Sequence, residues 1–136
     1  MVESNELERI YRDEIQMRTI IAGSRSITSM EVLETAIDSI TWEITRVISG
    51  CANGVDKLGA DWANSNQIPV HYYPADWDKY GKRAGFKRNV EMSKYADALL
   101  AVWDGESKGT KHMINIAKKK GLKVKIFEVN DDMPTL

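Results

Sequence analysis

Cysteine is almost absent. Cys51 stands alone, so no intramolecular disulfide can form, and with His71 and His112 as the only histidines no cluster of soft metal ligands can be drawn. Neither a metal nor a cofactor is expected. Net charge is nearly absent too: 19 lysines and arginines face 20 aspartates and glutamates, which removes the broad positive field needed for sequence-independent binding to a nucleic-acid backbone. Nucleic acid is therefore an unfavoured partner, and any basic group that matters must act locally. No run approaches the roughly 18 apolar residues of a membrane-crossing helix, and the first residues, MVESNELERIYRDEIQ, lack the apolar core of a signal peptide. A soluble, cytoplasmic protein is expected, and its single thiol fits a reducing compartment.

What is present suits one ordinary domain: 136 residues, 43% of them hydrophobic and 29% charged, enough for a core of its own. After the charged first 17 residues, the chain repeats one phrase, a short β-branched run, a Gly- or Ser-bearing turn and a helix-period segment, which is the signature of βαβ units. The runs are Arg18 to Ala22, Arg46 to Ser49, Pro69 to Tyr73, Ala98 to Trp103 and Leu122 to Val129. Between the first two, Met30, Leu33, Ile37, Ile40 and Ile44 recur at steps of three and four, with Thr28 and Glu31 spaced as a capping box. Further helices are expected from Val55 onward, from about Gly85 to Tyr95, and from about Thr110 to Lys120, where Gly121 provides a stop. The pattern predicts a Rossmann-like three-layer α/β/α fold over residues 18–129 with a mainly parallel five-stranded sheet in the order 3-2-1-4-5. Residues 1–17 form an extension whose Leu7, Ile10, Tyr11 and Ile15 sit at helical spacing, a face suited to a second copy of the chain in a homo-oligomer. Residues 130–136 read as a tail.

In such sheets ligands bind outside the carboxyl ends of the strands, where the strand order reverses. Three turns there are small, polar and glycine-bearing: Gly23-Ser24-Arg25-Ser26, the stretch from Gly50 through Asn53 and Gly54 to Asp56, and Asp104-Gly105-Glu106-Ser107-Lys108-Gly109-Thr110. Backbone amides in such turns, backed by helix starts, favour phosphate, and Arg25, Ser107, Lys108 and Thr110 add side-chain donors. Any one of these glycines also serves simply to turn the chain. The order 3-2-1-4-5 would line all three turns along one crevice, which is what shifts the balance toward a ligand.

The longest irregular stretch, Pro74 to Phe86, leads into Arg83-Ala84-Gly85-Phe86-Lys87-Arg88-Asn89. Arg88 can grip phosphate as a fork of donors, and Asn89 can read a base or ribose edge. Asp56 and Asp104 are suited to ribose hydroxyls, or equally to a helix first turn and a turn-forming role. Glu106 shares the Asp104 turn, with solvent exposure as its default. Cys51 reads as a small filler, both histidines as structural, and Trp103 as packing. Trp77, in the long loop, has packing and base stacking both open to it.

The strings VISGCANGVDKLGADWA and YYPADWDKYGKRAGFKRNVEMSKYADALLAVWDGESKGTKHMINIA resemble the YspA and YpsA-related branch of the SLOG superfamily, from about Thr19 to Phe127. The resemblance rests on pieces in order: a glycine turn ending in G-V-D, then P-A-D-W, then A-G-x-x-R-N-x-x-M, then W-D-G-x-S-x-G-T. It implies a Rossmann-like domain related to the DprA-type and cytokinin-activating LOG proteins, with a nucleotide or nucleotide-derived ligand. In LOG-type phosphoribohydrolases an arginine before the fourth strand and a glutamate after the G-G-x-G-T turn act on the N-glycosidic bond. Arg88 matches the first. Lys111, His112 and Met113 follow Gly109-Thr110, where that family would offer glutamate, so a hydrolase would have to draw on Asp104, Glu106 or Asp56 instead.

Three functions follow from this reading. The leading one is a binding or sensing module that holds phosphate on the Gly105 to Thr110 turn, with ribose and base toward Ser24, Arg25, Asn53 and Asp56. The alternative is a nucleotide N-glycosidase, with Arg88, Asp104 and Glu106 as catalytic candidates. The second alternative is a DprA-like protein contacting single-stranded DNA through Arg83, Lys87, Arg88 and Lys118 to Lys120.

Overall fold

A computed structural model describes residues 16–130. Five strands, β1 (Arg18–Gly23), β2 (Arg46–Ser49), β3 (Val70–Tyr72), β4 (Ala98–Trp103) and β5 (Lys123–Glu128), form one sheet in the order β3-β2-β1-β4-β5. Every pairing is parallel. The helices are α1 (Met30–Asp38), α2 (Val55–Ser65), α3 (Trp77–Tyr80), α4 (Ala84–Tyr95) and α5 (Lys108–Lys119), with a 3-10 turn at Gly81–Arg83 between α3 and α4. This is the Rossmann-like α/β architecture with the expected strand order. Among the described residues no helix is long and apolar enough to cross a membrane. The Leu7 to Ile15 segment and the tail from residue 131 lie outside the described residues.

A parallel sheet needs cover on both faces, so its central strands are apolar throughout rather than alternating. In β1 and β4, Ile20, Leu99 and Ala101 pack on one side with Met92 of α4 and Met113, Ile114 and Ala117 of α5. Ile21, Leu100 and Val102 pack on the other with Leu33 and Ala36 of α1 and Val55 and Ala63 of α2. Two helices therefore cover each face.

The first helix differs from its sequence pattern at both ends. Its cap is Ser29, whose extended backbone lets its hydroxyl accept the Val32 amide at 3.4 Å, and Thr28 is exposed. Its other end comes at Asp38, because Ser39 turns back on the helix: its hydroxyl and its amide both donate to the Ala36 carbonyl, at 2.6 and 3.1 Å. Ile40 and Ile44 still join the same core from the connection to β2, so apolar spacing ran past the end of the helix. The Pro74 to Phe86 stretch is also more regular than expected. Asp76 caps α3 by accepting the Lys79 amide at 3.0 Å.

At the amino ends of the central strands, Arg18 and Asp97 tie β1 to the start of β4. One carboxylate oxygen of Asp97 accepts the Arg18 backbone amide at 2.9 Å and Nε at 2.8 Å, and the other accepts Nη2 at 3.1 Å. Burial opposes ionisation of Asp97, but the hydrogen bonds from Arg18 outweigh it and hold the carboxyl below its ordinary range. Asp97→Ala strands two charge-assisted donors and a backbone amide, and is expected to cost about 1–3 kcal/mol. An acid whose pKa falls on folding stabilises above its unfolded pKa of about 3.9 and loses that contribution as pH drops through the folded value. Urea midpoints at pH 7 and pH 3 test this: the gap between wild type and Asp97→Ala should narrow in acid, and an equal gap at both would contradict the pairing.

Candidate functional site

The chain leaves β1 toward α1 and β4 toward α5, which lie on opposite faces of the sheet, so a crevice opens between the carboxyl ends of these neighbouring strands. It holds a cavity of about 500 Å³, within the range of roughly 300–1,000 Å³ typical of small-molecule sites. From the expected turns it is lined by Gly23 and Arg25 after β1, Asp56 after β2, and Asp104, Ser107, Gly109 and Thr110 after β4, while α4 contributes Arg88 and Asn89. Gly50 lines an adjoining depression of about 130 Å³ together with Arg25, Trp77 and Arg88.

Arg88 lies in the second turn of α4, not at its start. Its guanidinium donates through Nη1 to the Gly50 carbonyl and through Nε to Asn89 Oδ1 at 3.1 Å. This approach needs glycine at position 50, since a Cβ there would sit 2.8 Å from both Arg88 Nη1 and Asp56 Oδ2. Asp56 is 5% exposed and its Oδ2 accepts the Ala52 amide at 3.2 Å. Burial raises its carboxyl to a pKa of about 6, against the Ala52 amide, Arg88, the Gly23 backbone and Arg25, which all favour the charged form. Burial likewise lowers the pKa of Arg88, against the attraction of Asp56 and Cys51. A buried carboxyl and a partly buried guanidinium thus meet at one bare backbone position.

Other polar groups are occupied by the protein. Ser24, 1% exposed, accepts the Asp104 amide on its hydroxyl at 2.9 Å and donates its own amide to the Val102 carbonyl at 3.1 Å. The Ser24 carbonyl accepts the Val55 amide at 3.3 Å, so protein already caps the start of α2. Gly54 makes that junction possible with φ of +77° and a bare face against the Ser24–Arg25 backbone. Asp104 Oδ1 accepts the amides of Glu106 and Ser107, each at 2.8 Å, and these bonds, that from Ser107 foremost, hold its carboxyl below the usual range. Asp104 is therefore the former of the turn that places Ser107 as the cap of α5. The Ser107 hydroxyl accepts the Thr110 amide at 3.4 Å and lies 3.0 Å from Thr110 Oγ1. Trp103 braces the same turn, donating Nε1 to the Ser107 carbonyl at 3.1 Å. Asn89 spans the cavity wall, its Nδ2 donating to the Gly109 carbonyl at 3.2 Å and lying 3.2 Å from His112 Nδ1.

Several expected residues stand aside. Asn53, Gly105, Glu106 and Lys108 are exposed and outside the cavity lining. Cys51 is exposed with φ of +67°, so it is no core filler. The run Lys118 to Lys120 closes α5, a 12-residue helix that begins at the cavity, about 18 Å away at 1.5 Å per residue. Lys118 to Lys120 therefore lie away from the cavity that Arg88 lines.

The model of the YspA, cpYpsA-related SLOG family matches residues 17–80. The Gene 61 protein of Mycobacterium phage D29 is 34% identical over 119 residues, covering 79% of this chain and 93% of that protein. The chain belongs to the YspA, cpYpsA-related SLOG family. No solved structure matches it. The family match takes in β1, β2 and the turns after them, and the phage relative spans most of the remainder.

Gly85 and Phe86, from the segment leading into Arg88, line the mouth of the cavity, which also uses residues that spacing alone did not single out: Lys82 at the mouth and Met92 and Met113 deeper in. Lys82 and Phe86 carried only the signal of an aromatic and basic loop, and the two methionines read as helix-face core.

The Asp56 environment makes a pH-dependent prediction. An acid whose pKa rises on folding stabilises the fold below its unfolded pKa of about 3.9 and withdraws that contribution as pH climbs through the folded value. With the folded value near 6, the protein should lose roughly 2–3 kcal/mol from this group between pH 4 and pH 7. Asp56→Asn should flatten that part of the profile. Denaturation midpoints measured across the window decide it, and parallel profiles for the two proteins would mean that Asp56 titrates like an ordinary carboxylate.

Proposed function

We propose that this SLOG-family chain is a binding or sensing module for a nucleotide or nucleotide-derived ligand bearing phosphate. The observation that carries the reading is the combination, in one cavity, of three cationic side chains, Arg25, Lys82 and Arg88, with the capped start of α5 at Ser107, Gly109 and Thr110. A helix start and nearby guanidinium groups favour an anion of phosphate's size and charge. The near-neutral composition, 19 basic against 20 acidic residues, makes that positive character local and suits a small ligand better than a polymer. The lone exposed thiol of Cys51 suits a reducing cytoplasm.

Hydrolysis is the second reading, and Asp56 is what favours it. A buried carboxyl with a pKa of about 6, in the cavity and beside Arg88, has the poise of a general base near neutral pH. Against it, Lys111, His112 and Met113 follow Gly109-Thr110 where the LOG family would offer glutamate, and the one of the three that lines the cavity, Met113, carries a thioether that neither accepts a proton nor attacks a sugar. Binding without turnover is therefore the conclusion.

Incubation with nucleoside mono- and diphosphates, followed by melting temperature and by chromatography of free base, separates the two. The expected result is a rise in melting temperature with no base released, and for Arg88→Ala an affinity about 10- to 100-fold weaker, the range for losing a charge-assisted contact. Release of base that Asp56→Asn abolishes would make the protein an N-glycosidase.

A further inference from the structure

The large apolar side chains left exposed among the described residues are Tyr72 at 52%, Trp77 at 50% and Phe86 at 46%. Trp77 and Phe86 both line the cavity, and Tyr72 does not. The indole of Trp77 rests on the bare backbone at the start of α4, its Cη2 3.4 Å from where a Cβ on Gly85 would sit, and Arg88 Nη2 lies 3.7 Å from the same point. An aromatic platform is thus held beside a guanidinium at the mouth of a pocket, with half its surface in water.

Neither feature alone explains the other. An apolar ligand leaves the charges of Arg25, Lys82 and Arg88 unused, and a simple phosphate leaves the exposed half of Trp77 wet. A ligand with a planar ring at one end and an anion at the other satisfies both. The cavity also offers a place for the anion, since Ser107 and Thr110, the latter 4% exposed, line it at the start of α5. Of the four residues toward which ribose and base were expected, Arg25 and Asp56 line the cavity, whereas Ser24 is 1% exposed and bonded to Asp104, and Asn53 lies outside the lining.

Building on the nucleotide-binding reading above, we propose that Trp77 is the stacking platform for the base. The ligand then lies with its base at the rim over Gly85 and its phosphate inward at α5. Stacking tolerates any base, because each has a π-face, so the class is nucleoside 5′-phosphates and the platform supplies affinity more than base identity.

Titration calorimetry with AMP, GMP, CMP, UMP and ribose 5-phosphate, on wild type, Trp77→Ala and Trp77→Phe, tests the orientation. At least one nucleotide should bind wild type more tightly than ribose 5-phosphate does, and Trp77→Ala should weaken it on the order of 10- to 100-fold, the range for losing one stacked base. Ribose 5-phosphate should be unaffected, and Trp77→Phe should recover most of the loss. Unchanged nucleotide affinity in Trp77→Ala, or an equal loss for nucleotide and ribose 5-phosphate, would overturn the platform. Ribose 5-phosphate binding with no gain from any base would overturn it while leaving the phosphate site standing, and binding of no compound would overturn both.

Discussion

Strands β1 and β4 are hydrogen-bonded neighbours, yet the chain departs from them toward opposite faces of the sheet, and the site depends on that divergence. Right-handed crossovers from a parallel pair can leave in opposite senses only where the strand order reverses. A crevice between their carboxyl ends is the geometric consequence. What keeps it open but well-formed is the bridge from Ser24 to β4: its amide bonded to Val102 and its hydroxyl to the Asp104 amide, at 3.1 and 2.9 Å. The turns on both sides are thereby fixed relative to each other before any ligand arrives.

Around that crevice the polar residues divide into two groups. Ser24, Asp104 and Asn89 spend their hydrogen-bonding capacity on the protein, shaping turns and joining α4 to α5. Arg25 and Lys82 reach the cavity from exposed positions, and Arg88 does so while its other donors hold Gly50 and Asn89. Asp56 belongs to both groups, bonded to the Ala52 amide and buried next to Arg88. Its elevated pKa follows from burial, which the Ala52 amide and Arg88 oppose.

Strand order and layer arrangement were legible from the chain because β-branched runs and helix-period segments alternate, and a parallel sheet buried on both faces has few other topologies open to it. Helix ends were less so. Ile40 and Ile44 keep helical spacing beyond Asp38 because the core they enter is the same one, and only the back-bonding of Ser39 ends the helix. At the site, the sequence marked the right turns but not the roles within them. Whether Asp104 faces a ligand or forms its own turn depends on which amides it meets, and Cys51 takes a positive φ that no local pattern announced. Trp77 had two meanings on paper; its place over Gly85 at the cavity mouth is a tertiary fact.

The central claim is that the crevice between β1 and β4 is where this chain meets its ligand. Amide chemical shifts of ¹⁵N-labelled protein, followed during titration with a nucleoside monophosphate, test it most directly. The largest changes should fall on residues 23–26, 50–56, 85–89 and 104–110. Changes concentrated instead on Lys118 to Lys120, at the far end of α5, or on the outer faces of α1 and α2, would contradict it.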